Sequence, residues 1–367
     1  MKGLYIHIPF CKKKCNYCDF ASYPSCISRA DEYIEALCRE MQLYKGEKLN
    51  TIYFGGGTPS ILSSLQLGKI LNSVFGSFKV SQNAEITLEA NPGTVDFKKA
   101  KEISSMGINR ISLGAQSFSD SELKTLGRLH SSKDTLLAYS HFENAGITNI
   151  SLDLMYALPG QTMSSLSTSI EQMLKLKPKH LSCYGLKIED GTPFYSMLSK
   201  GEIKEKSDDE YADMYEMICR KFSSSGYVQY ELSNFSIPDY ESKHNVKYWS
   251  GKEYIGIGLG ASSYYKDSRF TRTTDFNKYL NSFENSEFYK LSKEDKMSEY
   301  MFLSLRLTKR GAVKEEFKKL FGVSIESIYG GVISKHIKNG FILDTNDSYL
   351  LAPKAYYISN SVLCDFV

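Results

Sequence analysis

The chain alternates short apolar runs with longer segments in which apolar residues recur at helical spacing. GLYIHIPF, TIYFGGG, AEITLEANP, RISLGAQS, NISLDLMYALPG and HLSCYGLKI read as strands, with VQYELSNF as a further candidate. Between them the periodicity predicts helices over 28–45, 63–75, 96–106, 134–144, 165–176 and 208–222. Several open on a Ser or Asp cap and close at a glycine, as in SSMG and ENAG. Strand alternating with helix dictates right-handed crossovers and a parallel sheet. Six such units predict an α/β fold, a partial or full (β/α) TIM-like barrel. A dinucleotide-binding half is the poorer fit, because no strand runs into a G-x-G-x-x-G turn followed by an acidic residue. Barrel chemistry sits at the C-terminal ends of the strands. There the chain places Cys11, GGGTP, residues 89–92, Gln116, Asp153 with LPG, and Tyr184.

Near residue 290 the pattern changes. A Ser-, Asn- and Glu-rich stretch, NSFENSEFYKLSKED, leads into a helix around 297–307, then GAVKEEFKKLFG, a helix ending HIKNG, and FILDTNDSYLLAP as a hairpin. Three helices and a hairpin follow the order of a small winged-helix-like domain. The expected organisation is a barrel over 1–235, a connecting segment over 236–290 and a winged-helix-like unit over 291–367. Winged helices read DNA in some proteins and only pack in others.

Composition narrows the class. Of 367 residues, 42% are apolar and 24% charged, and no apolar run approaches the roughly 20 residues that cross a bilayer. The N-terminus enters a strand directly, without a basic and then apolar leader. Cytoplasm is the expected location, and any membrane contact is peripheral. A net charge of +3 from 45 basic and 42 acidic residues gives no footprint for nucleic acid, so none is expected as a partner. The basic run at 12–14 is either a solvated loop face or a counterweight to a negatively charged group.

Eight cysteines are too few for a disulfide scaffold of this size. Cys26, Cys38, Cys183, Cys219 and Cys364 are scattered, whereas Cys11, Cys15 and Cys18 fall within HIPFCKKKCNYCDF. That clustering points to a metal site in a reducing compartment. The spacing C-x3-C-x2-C is neither the paired C-x2-C of a zinc ribbon nor the four-cysteine run of a ferredoxin. Three thiolates on one loop suit three irons of a [4Fe-4S] cube, leaving the fourth iron open to chelate a small molecule. Zinc on three cysteines, with Cys26 or His7 as a fourth ligand, is the competing reading.

The cysteine loop with Tyr17, followed after a strand by GGGTP at 55–59, resembles the radical S-adenosylmethionine (SAM) superfamily. That resemblance implies a cluster whose unique iron binds the amino and carboxylate groups of SAM and can release a 5'-deoxyadenosyl radical. YIHIPFC, GGGTPS, EANPG, GAQSF and DLMYALPGQT resemble, in order, the blocks of one group within it, the oxygen-independent coproporphyrinogen III oxidases and their haem-chaperone relatives. By this resemblance Tyr5, Tyr17, Gly56, Gly57, Thr58, Glu89, Gln116, Arg128 and Asp153 are SAM contacts. Glu89 and Asp153 would accept from the ammonium or ribose hydroxyls, Arg128 would pair with the carboxylate, and Gln116 would do either. His7 is a further candidate, beside the site or as a hydrogen-bonded structural residue.

Two features turn the resemblance toward the haem chaperones. Phe20 stands where the oxidase loop carries a further cysteine, and HNVKYW at 244–249 resembles the H-N-x-x-Y-W signature of the chaperones. It implies a haem contact from His244, Asn245, Tyr248 and Trp249, with the imidazole as a candidate iron ligand and the two aromatic rings facing the porphyrin. An aromatic loop closing the barrel mouth is the structural alternative. The implied function is to bind haem, a [4Fe-4S] cluster and SAM, and to deliver haem to acceptor apo-proteins such as respiratory proteins at the membrane face. The alternatives are decarboxylation of coproporphyrinogen III and a zinc or iron–sulfur nucleic-acid-binding protein.

Overall fold

The computed structural model describes residues 1–367. Strands β1 (Lys2–Ile8), β2 (Lys48–Gly56), β3 (Lys79–Ala90), β4 (Arg110–Gln116), β5 (Ile150–Tyr156) and β6 (His180–Gly185) pair in parallel in chain order. Crossover helices Ala30–Met41, Ser64–Ser77, Phe97–Ser105, Ser132–Asn144, Met163–Lys175 and Asp208–Ser224 follow them. Four start on a capping box, in which Ser63, Ser131, Thr162 or Ser207 exchanges bonds with the residue three positions on.

The expected hydrophobic alternation is present, with a functional twist. Leu4, Ile6 and Ile8, Ile52 and Phe54, Ile86 and Leu88, and Leu152 and Leu154 are buried in a core of 58 residues between the sheet and its helices. Their neighbours turn the other way and line the lumen with polar groups, among them Tyr5, His7, Tyr53, Glu89, Arg110, Ser112, Asp153 and His180.

The barrel is partial. Beyond β6 come β7 (Val228–Glu231) and β8 (Asn234–Ser236), which are antiparallel, so VQYELSNF and the following serine form a tight hairpin instead of one strand. Beyond β1 come β9 (Tyr254–Ile257), parallel to β1, and then β10 (Ser262–Tyr265), β11 (Ser268–Arg272) and β12 (Asn285–Lys290), which are antiparallel. The outermost strands β12 and β7 do not meet.

Residues 236–290 are therefore no mere connector, because they supply four of the twelve strands of the sheet. They are pinned to the first crossover helix by a buried cluster. Arg272 donates to Glu40 at 2.6 Å and to the Tyr44 hydroxyl at 2.8 Å, while the Tyr279 hydroxyl donates to Glu40 at 2.6 Å.

The C-terminal unit has its own core of 16 residues. Helices Lys293–Ser304, Lys314–Phe321 and Ile325–Lys338 pack on a three-stranded sheet of β13 (Ala312–Val313), β14 (Ile342–Asp344) and β15 (Ser348–Leu351), in the order expected of a winged helix. It docks on the β7 edge, where the Thr308 hydroxyl donates to the Gln229 carbonyl at 2.7 Å. No helix is long and apolar enough to cross a membrane.

Candidate functional site

A cavity of about 400 Å³ opens at the C-terminal ends of the parallel strands. All three clustered cysteines line it, together with Tyr17, Gly56, Gly57, Thr58, Glu89, Gln116, Arg128 and Asp153. Eight of the nine residues assigned to SAM by resemblance are thus brought to one wall with Cys11, Cys15 and Cys18.

Tyr5, the ninth, is not among the lining residues. It lies beneath the cavity, stacked on Tyr53 with ring centres 6.2 Å apart, its hydroxyl 3.1 Å from His7 Nδ1. His7 spends its other nitrogen on the Ala21 carbonyl at 2.8 Å, and burial lowers its pKa. It is a neutral strut tying the end of the cysteine loop to the barrel.

The loop is held by a chain of polar contacts. Cys11 Sγ lies 3.4 Å from Thr58 Oγ1, which accepts from Asn91 Nδ2 at 2.9 Å. Asn91 Oδ1 accepts from Arg128 Nη2 at 2.6 Å, and Arg128 Nη1 reaches Cys15 Sγ at 3.6 Å. Two cysteines are thereby linked through the ends of β2 and β3 and the turn after the short helix Asp120–Thr125. Burial pushes the Cys18 thiol up to about 11 and raises Cys11 as well. Burial opposes the charge on Arg128, but the Tyr17 phenol and the Cys15 thiol beside it keep its pKa above the ordinary value.

Glycines make the room. A Cβ at Gly57 would lie 2.8 Å from the Phe10 carbonyl and 3.0 Å from Cys11 Sγ. Gly56 adopts φ +111°, and a Cβ there would strike the His7 ring at 2.5 Å. Gln116 holds φ +64°, a left-handed conformation unusual outside glycine, at the end of β4.

Two carboxylates face the cavity from below. Glu89 accepts from the Tyr53 hydroxyl at 2.9 Å and from Gly56 N–H at 3.1 Å, yet burial pushes its pKa up to about 7. Burial also raises Asp153, against hydrogen bonds from Ser112 and Ser151, each at 2.9 Å. Acceptors in a dry floor, a guanidinium at one side and thiols at the rim suit a zwitterion with hydroxyls. Phe20 stands at that rim, 60% exposed. Sequence reasoning missed Tyr53 and Ser112, and it quoted Asn91 within EANPG without a role.

HNVKYW lies apart from the cysteine cavity. The segment forms the helix Lys243–Trp249, whose first N–H groups are received by Glu85 at 3.0 and 2.9 Å. This docks it under the start of β3, at the floor of the barrel, the end away from the cysteines. His244 is fully buried there, with Nδ1 2.9 Å from Thr51 Oγ1 and Nε2 2.7 Å from the Tyr248 hydroxyl. Its ring stacks on Tyr53 at 5.1 Å. Both nitrogens have hydrogen-bond partners, and with Tyr248 the imidazole fills the floor of the barrel. Asn245 follows on the same short helix, partly buried, and Trp249 ends it facing the C-terminal unit.

Comparison with known proteins agrees with this architecture. A radical SAM superfamily model matches residues 5–173, and a HemN C-terminal domain model matches residues 291–358. A relative described as heme chaperone HemW, from Lactococcus lactis subsp. lactis, is 39% identical over 99% of this chain and 96% of its own length. Those from Bacillus subtilis and Escherichia coli are 36% and 33% identical, covering 100% and 98% of this chain and 99% and 97% of their own. Among solved structures, the coproporphyrinogen III oxidase HemN of Escherichia coli superposes with a TM-score of 0.86 at 20% identity, over 99% of this chain and 89% of that one. Its likeness establishes the fold. Matches that run end to end at such identity, over a barrel and C-terminal unit in the same order, establish that the chain belongs to the HemW haem chaperone family of radical SAM proteins.

Proposed function

We propose that this protein binds haem and passes it to acceptor apo-proteins, using a [4Fe-4S] cluster and SAM held in the cysteine-lined cavity. The observation that carries this reading is the convergence of three free thiols on a single cavity whose rim carries Phe20 where the related oxidases present a further cysteine. The residues fit a cluster. The donor set is three soft sulfurs, the thiols are unbridged, and Gly57 leaves beside Cys11 the space that a Cβ would fill.

In this reading Cys11, Cys15 and Cys18 would hold the cluster and leave one iron open to SAM. When bound, the cluster supplies an electron to SAM or simply anchors it. The chain's own residues do the rest. Arg128 pairs with the carboxylate end of SAM while bracing Cys15, Glu89 and Asp153 receive its N–H and O–H groups, and Gly56 and Gly57 let the backbone close on its methionine end. Acceptors are reached peripherally where they sit at a membrane.

Anaerobic reconstitution checks the reading. Wild-type protein and Cys26→Ser should take up about four irons and four sulfides per chain, and Cys15→Ser should not. Haem added to the wild type should give a stoichiometric Soret band, without conversion of coproporphyrinogen III. Conversion without a haem band would establish the oxidase instead.

A further inference from the structure

The lumen beneath the cysteine cavity holds an arginine that the site described above does not use. Arg110 begins β4 on the lumen face, two residues before Ser112, and its side chain is 1% exposed. In the sheet register it stands opposite Thr87, one lumen-facing step below the pairing of Glu89 with Ser112. Arg110 Nε and Thr87 Oγ1 are both buried without a hydrogen-bond partner. A guanidinium so placed forfeits its hydration, and only nearby negative charge offsets that cost.

Six titratable groups feel this cation, and four of them are neutral near pH 7. Burial, reinforced by Arg110, holds His180 and His244 low, while burial holds the Tyr53 and Tyr230 phenols high. The other two are Glu89 on β3 and Asp153 on β5. Burial raises both, and the Arg110 charge lowers both. Asp153 also opposes the charge on Glu89. Two carboxylates in one dry floor take up a proton unless a cation stands beside them. Tyr5, Tyr184 and Tyr248 also face these carboxylates, but desolvation of their hydroxyls keeps them protonated. Arg128 is spent elsewhere, on Asn91 Oδ1 at 2.6 Å and the Gly114 carbonyl at 2.9 Å. That leaves Arg110.

SAM is a net cation, with a sulfonium and an ammonium against one carboxylate, so acceptors beneath it hold it best when ionised. Resting on the SAM reading above, we propose that Arg110 is a positioning residue of this site, the fixed cation that keeps Glu89 and Asp153 anionic as acceptors for SAM. It does not line the cavity and acts only through the two carboxylates.

The test reads the carboxyls directly in the cluster-free protein, by infrared titration of the carbonyl stretch of a protonated carboxyl. In wild type the band that Glu89→Gln removes should appear as the pH falls through about 7. Arg110→Met should bind that proton about tenfold more tightly, so the band persists to higher pH, and Arg110→Lys should leave it in place. On reconstituted protein, equilibrium dialysis should then show SAM held about fivefold more weakly at pH 7 by Arg110→Met, with the loss recovered at pH 9. Thermal melts show which variants fold, and Arg110→Gln repeats the comparison. A band unmoved in a folded neutral variant, or moved as far in Arg110→Lys, overturns the role of Arg110. If neither neutral variant folds, Arg110→Lys decides: an unmoved band supports the charge and a moved one overturns it. Wild-type protein with the band in place that binds no SAM overturns the SAM reading and leaves the charge balance of the floor standing.

Discussion

If the floor assignment of His244 is right, its imidazole contributes to folding and does so with a pH signature. Burial, reinforced by Lys247 and Arg110, lowers its pKa from 6.5 to about 3. The folded state therefore binds this proton more weakly than the unfolded chain. Its contribution is fully present above pH 6.5 and is lost as the pH falls toward 3, at about 1.4 kcal/mol per pH unit. By pH 5 the loss is about 2 kcal/mol, since 1.5 units separate pH 5 from the unfolded value. His244→Gln removes this titration. It also leaves the hydroxyl of either Thr51 or Tyr248 without its partner and removes the stack on Tyr53, a cost of about 1–3 kcal/mol at neutral pH. His7, His130 and His180 are also lowered by burial, so the variant should keep most, though not all, of the acid slope. Urea unfolding at several pH values between 5 and 7.5 reads both effects. The variant's midpoint should lie below that of wild type at pH 7.5, and the two should converge toward pH 5. A variant with an unchanged midpoint and slope that has nevertheless lost its haem would refute the floor plug and restore the imidazole as a ligand.

Two further substitutions probe the cavity. Gly57→Ala sets a methyl against the immovable Phe10 carbonyl and Cys11 Sγ, so it should cost about 1–3 kcal/mol of stability and lower iron uptake on reconstitution. Full iron content in that variant would show that the cradle has slack. Glu89, raised to about 7, binds its proton more tightly when folded than when unfolded, so its ionisation lowers stability by about 3 kcal/mol as pH rises from 4.5 to 7. Glu89→Gln should therefore flatten the pH dependence of the ligand-free protein's melting temperature and gain on wild type at pH 8 relative to pH 5, and a larger deficit at pH 8 would contradict the sign.

Six parallel strands were legible because each alternates an apolar residue facing the helices with a polar one facing the lumen, a period of two that survives in the sequence. The cysteine loop and the blocks around it were legible because their chemistry is local. What failed was non-local. Strands β9 to β12 are four to six residues long and take their identity from pairing with β1 and with one another, so nothing within 236–290 announces them. VQYELSNF keeps its alternation through the reversal at Leu232 and Ser233, without a glycine, proline or asparagine at the turn to mark it. Tyr5 shares the lumen face with Tyr53 but does not line the cavity. HNVKYW, read as a haem contact with a loop closing the barrel mouth as the alternative, lies at the floor, and a seven-residue helix carries no mark of which end of a barrel it closes. Only Glu85, receiving the helix start from another strand, decides that.

Tyr53 gives the floor a wider meaning. Its ring bears on His244 and its hydroxyl on Glu89, which in turn receives the Gly56 amide. One side chain is thus shared by the helix that ends at Trp249 and by the glycine cradle of the cysteine cavity. An event that lifts or tilts that helix must repack Tyr53, and with it the acceptor that fixes Gly56. By thermodynamic linkage the exchange is reciprocal: any ligand at one end that biases Tyr53 alters affinity at the other by the same factor. Tyr53 is thus the one side chain through which the floor helix and the glycine cradle feel each other.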